Sequence, residues 1–383
     1  MRIAQVVPLH IAVPPAGYGG TERVVHNLVE ALVKRGHEVT LFATGDSQTS
    51  AKLVPMVKRG IFFDPKVDAT ALHLAMLERV YERANQFDVI HSHLDFLTLP
   101  YFGRSATPTV LTLHGRLDTP EYQAAFRTVP NANYVSISDS QRTDLPDVTW
   151  MRTVHHGIDV ASFPYSPKPG GYLAFVGRMT HEKRPDLAIE IAKQAGIPLK
   201  IAAKIDHKER PYFERTIRPL LDHPLIEFLG ERDEHGKREL MRNALALLLP
   251  IDWPEPFGMV FIEALACGTP VITRPCGSVP ELLKNGVTGY IGREVGELVE
   301  AARRVHTLSR LACRRWAELR FDREQMAAGY EKVYHMAMLQ QQTRARGKLI
   351  RMPQPAIAAE RAVADLGAAQ ALAGNTIESV ALP

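Results

Sequence analysis

The sequence is short of the features that mark several common functional classes. Cysteine occurs three times, at Cys267, Cys276 and Cys313, an odd set without metal-ligand spacing. Reduced thiols of a cytosolic protein are the expectation. No apolar run approaches the ~18 residues that a membrane-spanning helix requires. Charge of one sign is scarce: Lys and Arg number 46 against 42 Asp and Glu, a net +4. That excess is too weak to argue for nucleic acid, and it fits an anionic substrate or a weak peripheral contact with a membrane. The first loop carries no Gly-x-Gly-x-x-Gly and no Gly-Lys-Ser/Thr, so dinucleotide and P-loop chemistry lack their signatures. The opening Met1-Arg2-Ile3-Ala4-Gln5-Val6-Val7 reads as a strand and has no signal-peptide layout.

What is present suits two domains: 383 residues, 45% hydrophobic and 23% charged. In the first half, short apolar strands (Ile3–Leu9, His37–Ala43, Asp88–His91, Thr107–Leu113, Tyr134–Ser138) alternate with helical stretches. The clearest helix is Thr21–Arg35, with Val24, Val25, Leu28, Val29, Leu32 and Val33 on one stripe and Gly36 closing it. The second half repeats the alternation. Strands are expected at Leu173–Val176, Leu199–Ala203, Ile226–Leu229, Ala246–Leu249 and Val271–Thr273. Helices are expected at Asp186–Gln194, Glu209–Leu221, Lys237–Asn243 and Val295–Thr307. Near-continuous apolar strands separated by helices indicate parallel sheets covered on both faces. Pro and Gly cluster at Phe163–Gly171, where a linker is expected. The resulting division is an N-terminal domain over 1–165, a second over 171–320, a helix over 321–340, and a basic, Ala-rich tail over 341–383 containing Arg344, Arg346, Lys348 and Arg351.

The segment richest in chemistry is Trp253-Pro254-Glu255-Pro256-Phe257-Gly258-Met259-Val260-Phe261-Ile262-Glu263. Pro256 and Gly258 keep Glu255 out of regular helix. Glu263 falls within Met259–Cys267, a short helix closed by Gly268 and Pro270. A carboxylate on so apolar a helix needs donors, and ligand hydroxyls would serve. By itself a Glu-x7-Glu spacing also describes a loop and helix cap with a surface acid.

Two further loops carry phosphate-binding chemistry. Tyr18-Gly19-Gly20-Thr21-Glu22 lies between the first strand and the first helix, where glycines admit a close ligand and free N–H groups attract anions. Val176-Gly177-Arg178-Met179-Thr180-His181-Glu182-Lys183 follows the first strand of the second half. Its Arg178 and Lys183 can converge on a diphosphate leaving group. His91-Ser92-His93 lacks a third metal ligand, and no zinc site is expected.

Together, Glu-x7-Glu with Pro-Phe-Gly, Gly-Arg-x-x-x-Glu-Lys and Gly-Gly-x-Glu resemble the motifs of retaining family 4 glycosyltransferases, over roughly Met1 to Leu339. The resemblance implies the GT-B fold, two Rossmann-like parallel α/β domains facing across a cleft, with the 321–340 helix returning to the first. It implies a hexose moved from a nucleotide-sugar, with UDP-glucose favoured over GDP-mannose, to an unidentified hydroxyl acceptor. The mechanism would be same-face and metal-independent, with no cofactor, in the cytoplasm or at the inner membrane face.

Carried onto this sequence, Arg178 and Lys183 would neutralise the diphosphate, aided by Gly19, Gly20 and Thr21. Glu255 and the N–H groups of Phe257 and Gly258 would hold the sugar, and Glu263 the ribose. His114 matches a histidine near the transferred sugar, although a structural histidine bonded to a carbonyl fits the same position. Asp95 would line the acceptor side. In Gly157-Ile158-Asp159, His156 replaces the usual Asn, and Asp159 reads as structural. Ala202-Ala203-Lys204 stands where relatives carry Gly-x-Gly. A nucleotide-sugar epimerase and a non-catalytic sugar-nucleotide or glycan-binding protein are the alternatives.

Overall fold

The computed structural model describes residues 1–17, 19–62, 64 and 66–347. The chain forms two compact units. One comprises Met1–Pro14, Leu32–Val154 and the described residues from Gly329 onward; the other comprises Pro15–Ala31 and His155–Ala328.

The first unit is built on seven parallel strands: β1 (Arg2–Val6), β2 (Glu38–Thr44), β3 (Lys52–Val57), β4 (Val89–Ser92), β5 (Thr109–Thr112), β6 (Asn133–Ser136) and β7 (Trp150–Thr153). Their order is β3-β2-β1-β4-β5-β6-β7, so the chain starts in the middle and winds outwards in both directions. The central strands are buried along nearly their whole length, which is why they read as short apolar runs. One core joins β1, β2 and β4 to helix Ala69–Tyr81 through Phe42, Met76, Leu77, Val80 and Ile90. A second groups Leu111, Phe126, Tyr134 and Leu145. Asp68 caps helix Ala69–Tyr81, its carboxylate accepting the N–H bonds of Thr70 and Ala71. The last helix, Arg323–Gly347, contributes the fully buried Tyr330 and Tyr334 to this unit. Arg35 and His37 bind its Glu331 at 2.7 and 2.8 Å.

The second unit has six parallel strands: β8 (Leu173–Arg178), β9 (Leu199–Lys204), β10 (Ile226–Gly230), β11 (Ala246–Leu248), β12 (Val271–Thr273) and β13 (Gly289–Ile291). The order is β10-β9-β8-β11-β12-β13. The Phe163–Gly171 stretch is no loose tether within this unit. Arg310, 6% exposed, donates to the carbonyls of Ser166, Ala244 and Arg242 at 2.7–2.8 Å, and Arg314 donates to Phe163 at 2.9 Å. A buried guanidinium satisfied by carbonyls holds such a segment firmly.

The three strands that sequence pattern does not announce, β3, β7 and β13, are all at sheet edges. Edge strands bury less and so lose the apolar run, and β3 also contains Pro55. The helix expected over Glu209–Leu221 is broken instead. It runs as a turn at Arg210–Tyr212, a π-turn at Phe213–Ile217 and a 3-10 turn at Arg218–Leu221. Pro219 has no N–H to return to the preceding turn, and Pro211 sits at the start, where proline is tolerated. Helix Arg310–Arg320 was not anticipated, and Arg323–Gly347 runs past the expected end at residue 340. The tail from residue 348 lies outside the described residues. Among those described, no helix is long and apolar enough to cross a membrane.

Candidate active site

Within the second unit, the loops following β8 and β11 meet. β8 ends at Arg178; the turn His181–Lys183 then leads to Arg184, whose left-handed backbone (φ 52°) starts helix Pro185–Ala195. After β11, Asp252–Gly258 leads into helix Met259–Ala266. The two are stitched by the Asp252 N–H donating to the Glu182 carbonyl at 2.9 Å. Lys183 forms an ion pair with Glu255, and the Trp253 indole N–H donates to the same carboxylate at 2.9 Å. Lys183 Nζ also lies 5.4 Å from the centre of the Trp253 ring. Asp252 takes Arg184 at 3.1 Å and Arg274 at 2.7 Å, while Arg178 lies 3.8 Å from Glu182. The two cations expected to share one anion thus each stand beside a different carboxylate.

Glycine makes the geometry of the loop after β11 possible. Gly258 (φ 85°) begins helix Met259–Ala266 without a side-chain cap, and a Cβ there would lie 2.6 Å from the Phe261 ring. The Phe261 N–H returns to the Gly258 carbonyl at 3.0 Å, and the Met259 and Val260 N–H groups before it have no carbonyl one turn back and no capping side chain. Glu263 in its second turn is 6% exposed, and no protein donor reaches its carboxylate among the described residues. Phe257 places its ring in a cluster with His156 (4.7 Å between centroids) and Phe321 (6.3 Å).

Three contributors escaped the sequence reading. Gly277 (φ 58°) packs on the backbone of Glu255, where a Cβ would come within 2.4 Å of both N and O. The Ser278 N–H and hydroxyl hold the carbonyls of Glu255 and Phe257 at 3.0 and 2.6 Å. Trp253 is the third. Ser278-Val279-Pro280 before a short helix was the available signal, a polar residue followed by an early helical proline.

The glycine loop belongs to the same unit. Gly19 (φ 153°) is required by packing, because a Cβ would lie 2.8 Å from Pro15; at Gly20, the first residue of helix Gly20–Lys34, a Cβ would meet nothing within 4 Å. Thr21 lies in the same first turn. Glu22 is buried, and burial pushes its carboxyl up. Arg23 links the loop to Glu234 at 2.9 Å. Tyr18 lies outside the described residues. The Asp159 N–H donates to Asn27 at 3.1 Å, and its carboxylate lies 3.3 Å from Arg323. Where a Gly-x-Gly turn was missed, Lys204 pairs with Asp206 at 3.1 Å. A hollow of about 480 Å³ lies beside these loops, lined by His181, Glu182, Arg184, Asp186, Tyr212, Thr216 and Asp252.

His114 and Asp95 lie in the first unit, beyond β5 and β4, and are brought together there. The His114 backbone N–H donates to Asp95, and burial pushes that carboxyl up to about 7. Asp95 has a left-handed backbone (φ 46°), and its Oδ1 is buried without a hydrogen-bond partner. His114 is held at 2.8 Å by His93 rather than by a carbonyl, and burial pushes its ring down to about 3. His91 and His93 are each committed to protein partners, and no group of three metal-ligating side chains stands together among the described residues.

Sequence comparison matches both halves of the chain to family models. Residues 18–162 match Glycosyltransferase Family 4, and residues 164–318 match Glycosyl transferases group 1. The chain belongs to glycosyltransferase family 4. Its two sheets have the GT-B architecture, and it is a glycosyltransferase. Similar proteins include a glycogen synthase of Mycobacterium tuberculosis, 28% identical, with 89% of this chain and 95% of that protein covered. Among solved structures, a glycosyltransferase involved in avilamycin A biosynthesis superposes with a TM-score of 0.70 at 24% identity, covering 88% of this glycosyltransferase and 98% of that chain. HepE of Anabaena, solved in complex with UDP-glucose, gives a TM-score of 0.63 at 18% identity, covering 88% and 99%.

Proposed function

We propose that this glycosyltransferase moves a hexose, with retention, from UDP-glucose to a hydroxyl acceptor. The observation that carries the reading is Glu263: a carboxylate 6% exposed, on an apolar helix, with no protein donor among the described residues. A carboxylate so placed offers its oxygens to a ligand, and the paired hydroxyls of a ribose would meet them. The Met259 and Val260 N–H groups at the start of that helix suit the oxygens of the donor. Lys183 would exchange Glu255 for the diphosphate, releasing Glu255 to the sugar hydroxyls beside the N–H groups of Phe257 and Gly258. Arg178, with the Gly19-Gly20-Thr21 turn, would share the same negative charge.

In the reaction, the bond from the anomeric carbon to the diphosphate oxygen breaks while the acceptor oxygen bonds that carbon from the same face. The acceptor proton passes to the departing phosphate, so no protein base is consumed. Protein cations, rather than a metal ion, would stabilise the leaving group.

The test is a donor panel of UDP- and GDP-sugars, scored by thermal shift and by release of nucleoside diphosphate, with and without EDTA. UDP-glucose should stabilise the protein most, and EDTA should leave release unchanged. Glu263→Ala should weaken donor binding about tenfold, the worth of one lost buried hydrogen bond. Arg178→Ala should mainly lower turnover. Unchanged affinity and rate in both variants would sink the assignment.

A further inference from the structure

The first unit contains a continuous chain of buried hydrogen bonds that ends at His114. It starts at the last helix, where the Tyr330 hydroxyl lies 2.9 Å from Thr112 Oγ1. Thr112 lies 2.7 Å from His91 Nε2, and His91 Nδ1 lies 2.8 Å from the Tyr334 hydroxyl. The Gln5 amide nitrogen donates to that hydroxyl at 3.0 Å, and the Gln5 carbonyl oxygen lies 2.9 Å from His93 Nε2. His93 Nδ1 lies 2.8 Å from His114 Nε2. Gln5, His91, His93 and Thr112 are 0–2% exposed, and both tyrosines are fully buried.

Such a chain has a direction. A carbonyl oxygen only accepts, so His93 Nε2 must carry a proton towards Gln5. With one proton on each imidazole, His93 Nδ1 is an acceptor and His114 Nε2 must be the donor. The other end agrees: the Tyr334 oxygen accepts from Gln5, so its proton goes to His91 Nδ1, and His91 Nε2–H donates to Thr112. Turning the Gln5 amide over would reverse the proton at every later bond and place it on His114 Nδ1. In the structure the Gln5 nitrogen faces the Tyr334 oxygen and the Gln5 carbonyl oxygen faces His93, which selects the first of these two directions.

We infer that Gln5, anchored by Tyr334, is a positioning residue that fixes His114 as the Nε2–H tautomer, leaving Nδ1 a hydrogen-bond acceptor. Burial pushes His91 and His114 well below the ordinary imidazole range, so neither becomes a cation that would blur this direction. The consequence for catalysis rests on the reading that His114 touches the transferred sugar: Nδ1 then takes a proton from a sugar hydroxyl and cannot donate to one.

The test is a long-range proton–nitrogen correlation spectrum of the full chain labelled with ¹⁵N-histidine, the His114 signals being assigned by their loss in His114→Ala. The wild-type protein should show His114 protonated at Nε2 alone. Gln5→Met, which removes the acceptor, and Tyr334→Phe, which removes the anchor, should each give a mixture of both tautomers. Turnover should fall about tenfold, with the Michaelis constant for an acceptor little changed. Tyr330→Phe, at the far end, should lose a buried hydrogen bond yet leave the His114 proton in place, separating direction from mere loss of packing. A proton on His114 Nδ1 in the wild-type protein, or an unaltered tautomer in both Gln5→Met and Tyr334→Phe, overturns the inference. If the tautomers behave as stated while His114→Ala turns over normally, the relay stands and the sugar contact falls.

Discussion

The polar clusters of the two units solve one problem in opposite ways. In the second unit, Lys183, Glu255, Arg184, Asp186, Asp252 and Arg274 meet as full charges, and none is deeply buried: the side chains of Lys183 and Glu255 are 12% exposed and that of Asp252 46%. In the first, Gln5, His91, His93, Tyr330 and Tyr334 are buried almost completely and bond to one another through amide, imidazole and hydroxyl groups. Charges that keep some contact with water can exchange partners when an anion arrives, because water offsets part of the cost of separation. Buried neutral groups cannot exchange cheaply, and what they transmit is the orientation of a proton. One cluster is suited to neutralising a leaving group and the other to orienting a hydroxyl.

The largest way to break this contrast is to remove a charge from the exchanging cluster. Lys183→Met leaves Glu255 the Trp253 indole and takes a cation from the proposed diphosphate. Turnover should drop about 10²- to 10³-fold, the usual worth of a preorganised electrostatic contact. Glu255→Gln should also lower turnover. The double variant should lose much less than the product of the two, because the ion pair makes them one unit. Fully multiplicative losses would show that the pair is incidental.

Backbone geometry comes next. Gly277→Ala must accommodate both a left-handed backbone and a Cβ pressed into the Glu255 backbone, at a cost of about 2–4 kcal/mol. Gly20→Ala meets open space, and helix propensity favours alanine, so its stability should change by less than about 1 kcal/mol. Urea unfolding of both variants checks the difference. Equal costs would mean that the Asp252–Gly258 loop is not held by its neighbour.

How far these features can be read in sequence follows from where the information lies. The central strands, the helix after β1 and the Met259–Ala266 helix were legible because burial on both faces leaves uninterrupted apolar runs closed by Gly and Pro. The motif residues were legible because loop glycines and charges stand out against those runs. Gln5 was not: a single polar residue within Ile3-Ala4-Gln5-Val6 carries no sign that its partners lie 88 and 329 positions away. The Lys183–Glu255 pairing was hidden for the same reason, since each residue suited a ligand and nothing local showed that they meet. His114 was legible as a position, but its bond to His93, rather than to a carbonyl, required the sheet.

The neutral cluster can be probed at its edge. Asp95 is the carboxylate beside this cluster, accepting the His114 backbone N–H, and burial pushes it up to about 7 from an ordinary 3.8. Between those two values the folded protein holds a proton that the unfolded chain releases. A raised acid of this kind contributes stability that is complete below about pH 3.8 and lost as pH rises through about 7. An amide in place of this carboxyl has no charge to bury, and asparagine tolerates the left-handed backbone at the position. Asp95→Asn should therefore have a flatter pH dependence, being more stable than the parent by about 4 kcal/mol at pH 8 relative to the difference at pH 4. Thermal unfolding of both proteins across that range decides the matter. Parallel curves would place the Asp95 carboxyl in contact with water, and the neutrality ascribed to its surroundings would then stop at His114.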